Sequence, residues 1–192
     1  MTVPVASTLE RPSLSKAEFT AGFHAIGEER YHHKHPFHLL MHDDKLTRGQ
    51  LQAWALNRYF YQNRIPVKDA AILARREDPA FRLAWRKRIP DHDGDGTKPG
   101  GIERWLKVVE ATGLSRDLAL RGDGILPATR FAVQAYVDFV STRWHREEQD
   151  KAHAAVRAKC DILRAQLDAL YFAYVNPGWP PPGALQPAKE NA

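Results

Sequence analysis

Apolar side chains recur at helical spacing along most of the chain. Phe19, Phe23 and Ile26 form a stripe at positions i, i+4 and i+7, and similar stripes follow Thr47 and Glu147. Helix-start and helix-stop residues separate these stripes. No segment shows the sustained alternation of apolar and polar positions that is typical of a half-buried strand. The pattern therefore predicts an all-α protein.

Local signals predict where the helices begin and end. Ser15 and Thr47 are each followed three residues later by Glu or Gln, the spacing of a capping box. Asp78 precedes a proline and predicts another start, and Pro90 is expected to stop that helix and leave a loop at residues 91–101. Gly113 predicts a left-handed helix end.

Length and composition favour one domain. We expect a single helical domain at residues 14–176, a leader at residues 1–13 and a proline-rich tail at residues 177–192. The single Cys160 excludes an intramolecular disulfide and indicates a cytoplasmic protein. No stretch resembles a signal peptide or a membrane span. The net charge of +5 suits an anionic small molecule, and no basic stripe with interleaved aromatics favours nucleic acid.

Five of the nine histidines lie within twelve residues near the N-terminus. His32 with His35, and His38 with His42, are spaced to share a helix face, as metal-binding histidines often do. Pro36 interrupts any single helix through both pairs, and no cysteine lies near. Neutral imidazoles can also donate, accept and transfer protons near pH 7. The spacing therefore favours a metal-free acid/base site over a metal site.

The loop predicted after Pro90 holds two further candidates. Residues 91–96 read Asp-His-Asp-Gly-Asp-Gly, which imitates the start of a calcium loop. The Glu that such a loop needs at its twelfth position is replaced by Ile102, which argues against calcium. His92 follows the predicted helix end, on a loop of the kind that carries catalytic groups. An ordinary loop histidine is the alternative.

Residues 57–69 combine large aromatic side chains with basic and amide ones. Arg58 and Gln62 share one face at helical spacing. One interpretation is a cavity wall that presents Arg58 and Lys68 to substrate carboxylates, because carboxylates match the guanidinium fork. The other interpretation is a solvated face whose charged side chains lie over apolar neighbours.

Several short stretches are jointly much more specific than any single motif. They are residues 31–38 (YHHKHPFH), 57–62 (NRYFYQ) with 65–71 (IPVKDAA), 88–94 (RIPDHDG), 100–106 (GGIERWL), 126–127 (LP) with 130–133 (RFAV), and 159–163 (KCDIL) with 166–170 (QLDAL). Because it carries all of these stretches, the chain resembles the pyrroloquinoline-quinone synthase family. The members of that family are the oxidases of the last step in making that quinone. The resemblance runs from Leu14 to about Phe139 and resumes near Glu148.

The resemblance implies a fold and a reaction. Its family consists of compact helical bundles of the haem-oxygenase-like type that use neither haem nor metal. The substrate is a bicyclic quinoid precursor with several carboxylates, and the enzyme closes a ring, oxidises the product with O2 and releases hydrogen peroxide. No cofactor is needed, because an electron-rich quinoid can pass electrons to O2 itself while the protein binds, orients and moves protons.

The resemblance also assigns roles to individual residues. His92, His32 and Tyr31 match catalytic positions that contact the substrate and transfer protons, and no residue matches a metal ligand. Substrate-binding positions are matched by Arg58, Gln62, Lys68, Arg88, Tyr136 and Lys159.

The chain departs from the family in length. Roughly sixty residues, several helices at usual length, are missing between Phe139 and the final helix, and they normally carry further pocket residues. Two functions therefore stay open. One is an oxygen-dependent quinone synthase, and the other is a catalytically impaired relative that binds the precursor or a pathway partner protein. A shortened bundle also predicts a homodimer that covers exposed apolar surface.

Overall fold

The structure is a computed structural model that describes residues 14–141 and 148–186. The predicted leader and the junction at residues 142–147 lie outside these ranges. Within the described ranges the chain forms ten α-helices and a short 3₁₀ turn, without a strand. The 3₁₀ turn is His32–Lys34, and the helices are α1 (Lys16–Arg30), α2 (Pro36–His42), α3 (Arg48–Gln62), α4 (Ile65–Leu73), α5 (Pro79–Trp85), α6 (Arg88–Asp93), α7 (Gly101–Ala111), α8 (Arg116–Arg121), α9 (Pro127–Ser141) and α10 (Glu148–Tyr174).

Two helices, α3 and α10, form the centre of the bundle. α10 packs against α1, α2, α3 and α9, while α3 also packs against α7, α8 and α9. α4 lies on α9 and α6, and α6 lies on α7. The prediction of an all-α fold is confirmed. In the described part of the chain, no helix has the length and apolarity needed to cross a bilayer.

α3 contributes to three clusters of buried side chains. Ala53 packs towards α2 and α10, Leu56 and Tyr59 pack towards α7 and α8, and Tyr61 packs towards α4 and α9. A helix that is buried on several sides has little surface on which polar side chains can meet water. The polar residues of α3 must therefore find partners inside the protein or line a cavity.

Most of the local helix signals are confirmed. Ser15 and Thr47 each form a capping box in which both reciprocal hydrogen bonds are present. Asp78 caps α5 by accepting a hydrogen bond from a backbone N–H group. Gly113 has a φ of +92°, as a left-handed helix end requires.

The prediction that Pro90 ends a helix and that residues 91–101 form a loop is wrong. A separate short helix, α6, contains Pro90 in its first turn and continues to Asp93. The first N–H groups of a helix have no acceptor within it, so proline costs no hydrogen bond there. His92 consequently lies in the last turn of α6, and the loop is confined to residues 94–100.

The first part of the proline-rich tail packs on the bundle. Ala184 is buried in the cluster around α10. The N–H of Leu185 donates to the carbonyl of Gly124 at 3.0 Å, and the hydroxyl of Tyr174 donates to the carbonyl of Leu185 at 2.7 Å. These contacts fix residues 184–185 against the start of α9, although the segment is not helical.

Asn57 joins α3 to the start of α9. Its side chain is almost completely buried, and its amide donates to the carbonyl of Ala53 at 2.9 Å. Its Oδ1 accepts from the N–H of Leu126 at 3.0 Å. Both ends of the Asn57 amide are therefore used by the backbone.

We expect Asn57→Ala to lower the free energy of unfolding by about 2–3 kcal/mol, because it leaves the buried N–H of Leu126 without an acceptor. Urea denaturation measures the change. Asn63→Ala, at the exposed end of α3, is the matched control and should cost less than about 0.5 kcal/mol. A loss at Asn57 no larger than that of the control would contradict the structural role.

Candidate active site

A cleft of about 130 Å³ lies between the 3₁₀ turn, α2, α3, α7 and α10. Aromatic and aliphatic walls with a few polar groups are typical of sites for small molecules. Such sites usually measure roughly 300–1,000 Å³, so this cleft accommodates part of a larger molecule. Its polar lining residues are His32, His38, Asn57, Arg58 and Gln166, and its apolar ones are Met41, Trp54, Trp105, Leu163, Leu167 and Leu170.

Arg58 enters the cleft from α3. Its guanidinium carbon lies 4.9 Å from the ring centroid of Tyr61 and 5.8 Å from that of Trp105. Burial lowers the pKa of the guanidinium, which still stays protonated at neutral pH. No carboxylate in the described ranges forms an ion pair with it. Because its neighbours are aromatic rings, its N–H donors are available to a ligand.

His32 reaches the same cleft from the 3₁₀ turn. Its ring stacks on that of Tyr31 with 4.3 Å between centroids, and it lies 5.1 Å from the ring of His38. Burial, helped by the positive charge of Arg58, lowers the pKa of His32 to about 4. The imidazole is therefore neutral at pH 7, with one donor and one acceptor nitrogen. Its Nδ1 is buried and has no hydrogen-bond partner among the described residues.

The histidine cluster does not converge on one point. His35 is buried and caps α2, because its Nδ1 accepts from the N–H of Phe37 at 3.1 Å. Its Nε2 therefore carries the proton and donates to Asp168 Oδ1 at 2.8 Å. His38 and His42 lie one turn apart on α2, with 4.2 Å between ring centroids and the ring planes tilted by 51°. Across residues 14–141 and 148–186, no group of three or more His, Cys, Asp or Glu side chains is placed to hold a metal ion.

The loop that imitates a calcium site is organised by its own carboxylate. Asp95 accepts hydrogen bonds from the backbone N–H groups of Thr97 at 2.8 Å and Lys98 at 2.7 Å. These bonds, and one from the hydroxyl of Thr97, lower the pKa of Asp95. The acidic side chain therefore caps a turn.

A second group of polar side chains adjoins the cleft through Tyr61. The ring of Tyr61 stacks on Tyr136 with 5.9 Å between centroids, and the Lys68 Nζ lies 5.9 Å from the Tyr136 centroid. Burial raises the pKa of both tyrosine hydroxyls, so both keep their protons at neutral pH. The aromatic pair links Arg58 on one side to Lys68 on the other.

Asp69 lies at the centre of this second group. Its carboxylate is fully buried, forms an ion pair with Lys68 and accepts from Nε of Arg88 at 3.3 Å. Lys68 is itself buried, and that burial lowers the pKa of its ammonium. The bond to Asp69 opposes the shift, while the positive charges of Arg88 and Lys159 add to it. Asp69 thus holds two predicted substrate-binding cations in place.

Four further residues were predicted to belong to the site. Tyr31 is partly exposed beside His32, Gln62 is half-buried near the end of α3, and Lys159 is exposed on α10. His92 is half-buried, and its Nδ1 lies 2.8 Å from the carbonyl of Arg88. A carbonyl only accepts, so Nδ1 carries the proton and Nε2 is the acceptor nitrogen. The roles assigned to these residues stay predictions.

Two residues of the site were missed by the sequence analysis. Asp69 follows Lys68 directly, and an acid next to a lysine in an otherwise apolar helix was a usable signal for a buried ion pair. Gln166 belongs to a stretch that carries the family resemblance, but nothing in its spacing shows that it lines the cleft.

We expect Asp69→Asn to lower the free energy of unfolding at pH 7 by about 3–5 kcal/mol, because it leaves the charge of Lys68 buried without a partner. The pKa of Lys68 in the folded protein lies below its ordinary value of 10.5. At a pH between the folded and the ordinary pKa, the unfolded chain therefore binds more protons than the folded one. The free energy of unfolding consequently rises with pH across that interval. Asp69 raises the Lys68 pKa, so its removal should extend the interval to lower pH.

Urea denaturation at several pH values between about 6 and 10 measures both effects. Asp43→Asn, which breaks the exposed pair with Lys45, is the matched control and should change stability much less. The arrangement at Asp69 would be refuted if the two variants lost stability equally.

Known proteins resemble this chain over most of its length. The sequence model of the TENA/THI-4/PQQC family matches residues 22–162. A pyrroloquinoline-quinone synthase from Xanthomonas oryzae pv. oryzae is 42% identical over 240 positions, which cover 92% of this chain and 96% of that protein. The corresponding protein of Xanthomonas campestris pv. campestris is 41% identical over 241 positions, which cover 93% and 96%.

A third relative has a second part. The bifunctional coenzyme PQQ synthesis protein C/D of Methylorubrum extorquens is 42% identical over 249 positions. The alignment covers 97% of this chain but 67% of that protein. The name of the relative assigns it two functions, C and D, in one polypeptide.

The alignments also show the difference in length. The match to the Xanthomonas oryzae protein covers 92% of 192 residues, which is about 177, so about 63 of its 240 positions have no residue in this chain. This agrees with the expected absence of roughly sixty residues. The matched residues 22–162 nevertheless include every described helix from α2 to α9. The chain belongs to the TENA/THI-4/PQQC family, whose fold is the haem-oxygenase-like bundle, and its relatives place it with the pyrroloquinoline-quinone synthases.

Proposed function

We propose that this chain is an oxidase that makes pyrroloquinoline quinone. It closes a ring in a quinoid precursor with several carboxylates, oxidises the product with O2 and releases hydrogen peroxide. The observation that carries the proposal is a cleft with aromatic walls in which Arg58 has no acidic partner among the described residues. The names of the relatives that are about 42% identical support a role in the synthesis of pyrroloquinoline quinone.

The substrate carboxylates bind to cations at both ends of the site. Arg58 offers its guanidinium fork in the cleft, while Arg88 and Lys68 offer charge on the other side of the tyrosine pair. The planar ring system lies against Trp54 and Trp105, whose rings meet edge to face with 5.6 Å between centroids. Fixing the precursor in this way brings its reacting atoms together for ring closure.

Proton transfer is the main chemical task of the protein. Reduction of one O2 to one hydrogen peroxide takes two electrons and two protons, and both electrons come from the electron-rich quinoid. We assign proton transfer to His92, His32 and Tyr31. The observations that support this are the Nε2 of His92, which has no hydrogen bond to a described residue, and the half-buried ring of His32, whose lowered pKa keeps it neutral at pH 7. The enzyme uses no cofactor or metal ion in this scheme, and O2 is the co-substrate.

We further propose that the chain acts in the cytoplasm as a homodimer. Phe131 on α9 and Phe172 on α10 are exposed, and a second copy would cover such apolar side chains. The single Cys160 is buried and free, which is consistent with a reducing compartment. A protein that corresponds to the second part of the fused Methylorubrum extorquens relative is the proposed pathway partner.

The second candidate function is binding without turnover. About 63 positions of the Xanthomonas oryzae relative have no counterpart here, and a shorter chain has fewer side chains with which to enclose the reaction. The chain would then hold the precursor or its partner protein and leave the oxidation to another enzyme. The retained cations at Arg58, Lys68 and Arg88 serve this function equally well.

We expect the purified chain to convert the quinoid precursor in air, because the residues that bind and orient it are present. The assay follows quinone absorbance, oxygen uptake and hydrogen peroxide together. Dialysis against a chelator, with metal content measured before and after, should leave the rate unchanged. Precursor binding without oxygen uptake would instead establish the binding function, and a rate that depends on a stoichiometric metal would refute the metal-free scheme.

We expect His92→Ala to lower turnover by about 10²-fold, the lower end for general acid–base catalysis, with the circular dichroism spectrum unchanged. His32→Ala should lower it less and should remove an inflection near pH 4 from the rate profile, because the neutral form of His32 predominates above its pKa of about 4. His24→Ala, an exposed histidine on α1, is the control. Turnover of the His92 variant equal to that of the control would return His92 to a structural role.

A further inference from the structure

Gln166 is a buried polar residue to which no function has been assigned so far. It lies on α10, is 4% exposed and lines the cleft. Its Nε2 is buried and makes no hydrogen bond to any described residue. An amide donor that is buried without an acceptor costs free energy, so proteins seldom keep one unless something else pairs with it.

Two other polar residues of the cleft are unused in the same way as Gln166, and one is not. Asn57 also lines the cleft, but both ends of its amide are bonded to the backbone. Arg58 lies over two aromatic rings and forms no ion pair with a described residue, and His32 Nδ1, like the Gln166 amide nitrogen, has no hydrogen-bond partner among them. Three unused polar groups therefore line one small cavity, and they come from three different segments of the bundle.

The rest of the α10 wall is apolar. Leu163, Leu167 and Leu170 line the cleft from the same helix, so Gln166 is the one polar group that α10 presents there within the described part of the chain. A single hydrogen-bonding group on an apolar wall fixes how a planar molecule is oriented. The group is neutral, so it can donate to a carbonyl oxygen or to a carboxylate oxygen.

We propose that Gln166 is a ligand-binding residue whose Nε2 donates a hydrogen bond to an acceptor oxygen of the planar, carboxylate-bearing molecule that Arg58 also holds. This inference rests on the proposed function and adds a contact from the last helix to it. The amide determines which edge of the ring system faces α10, and Arg58 supplies the charge.

The test uses pyrroloquinoline quinone itself as the probe, with affinity measured by calorimetric titration. Gln166→Met keeps the length of the side chain but removes the amide, and should weaken binding about tenfold. Without ligand, the same variant should melt about 2–4 °C higher, because the unpaired amide is gone. Gln134→Met, an exposed glutamine on α9 that bonds within its own helix, is the matched control for both measurements.

Gln166→Glu gives an independent readout. A carboxylate at this position repels a polycarboxylate, so binding should be weaker than in Gln166→Met. The inference is overturned if either variant binds the quinone as tightly as the wild type, or if Gln166→Met melts well below it, since the amide would then have a structural partner.

Arg58→Ala separates this inference from the proposed function. It should weaken binding about ten- to hundredfold, the range for hydrogen bonds to a charged group. Binding that depends on Arg58 but not on Gln166 would overturn the role of Gln166 alone. The proposed function and the inference would be overturned together if the wild-type chain does not bind the quinone, or if Arg58→Ala binds it as tightly as the wild type.

Discussion

The burial of α3 on several sides determines what the site can be. Helices on three sides cover α3, so its polar side chains either bond to the protein or point into an internal space. Asn57 does the first, because its amide is used by Ala53 and Leu126. Arg58, the next residue, does the second. The same helix thus supplies one polar group that fixes the fold and one that is left for a ligand.

Near this helix the cations outnumber the carboxylates that pair with them, which favours the binding of an anion. Lys68 and Arg88 share the single carboxylate of Asp69, and Arg58 forms no ion pair with any carboxylate in the described ranges. Arg58 lies on one side of the Tyr61–Tyr136 pair and Lys68 on the other, and the burial of both cations weakens the screening of their charges by water. The lowered pKa values of Lys68 and Arg58 have burial as their main cause. A ligand with several carboxylates, as in the proposed function, would offset this excess positive charge.

The sequence predicted the parts of this fold that depend on local interactions. The caps at Ser15 and Thr47 are set by residues three positions apart and were read correctly. The helix around Pro90 was missed because proline breaks a helix when it lies in the interior, and only the position of Pro90 in a first turn makes it acceptable. α8, six residues long, was also missed, since so short a helix depends on packing against α3 and α7. Asp69 and Gln166 were missed for a related reason, since their surroundings come from tertiary packing.

In the proposed function, the described residues would bind the precursor, and the absent positions would help to enclose it. The ion pairs at Asp69 involve α4 and α6, and the cleft involves α2, α3, α7 and α10, all of them in the described part of the chain. Contacts to carboxylates therefore do not require the absent positions. The absent positions would contribute to the exclusion of water in this scheme, because a cleft of about 130 Å³ is smaller than most sites for small molecules. Orientation by fixed contacts and exclusion of solvent contribute separately to rate, so weaker exclusion of solvent would lower turnover more than it lowers affinity.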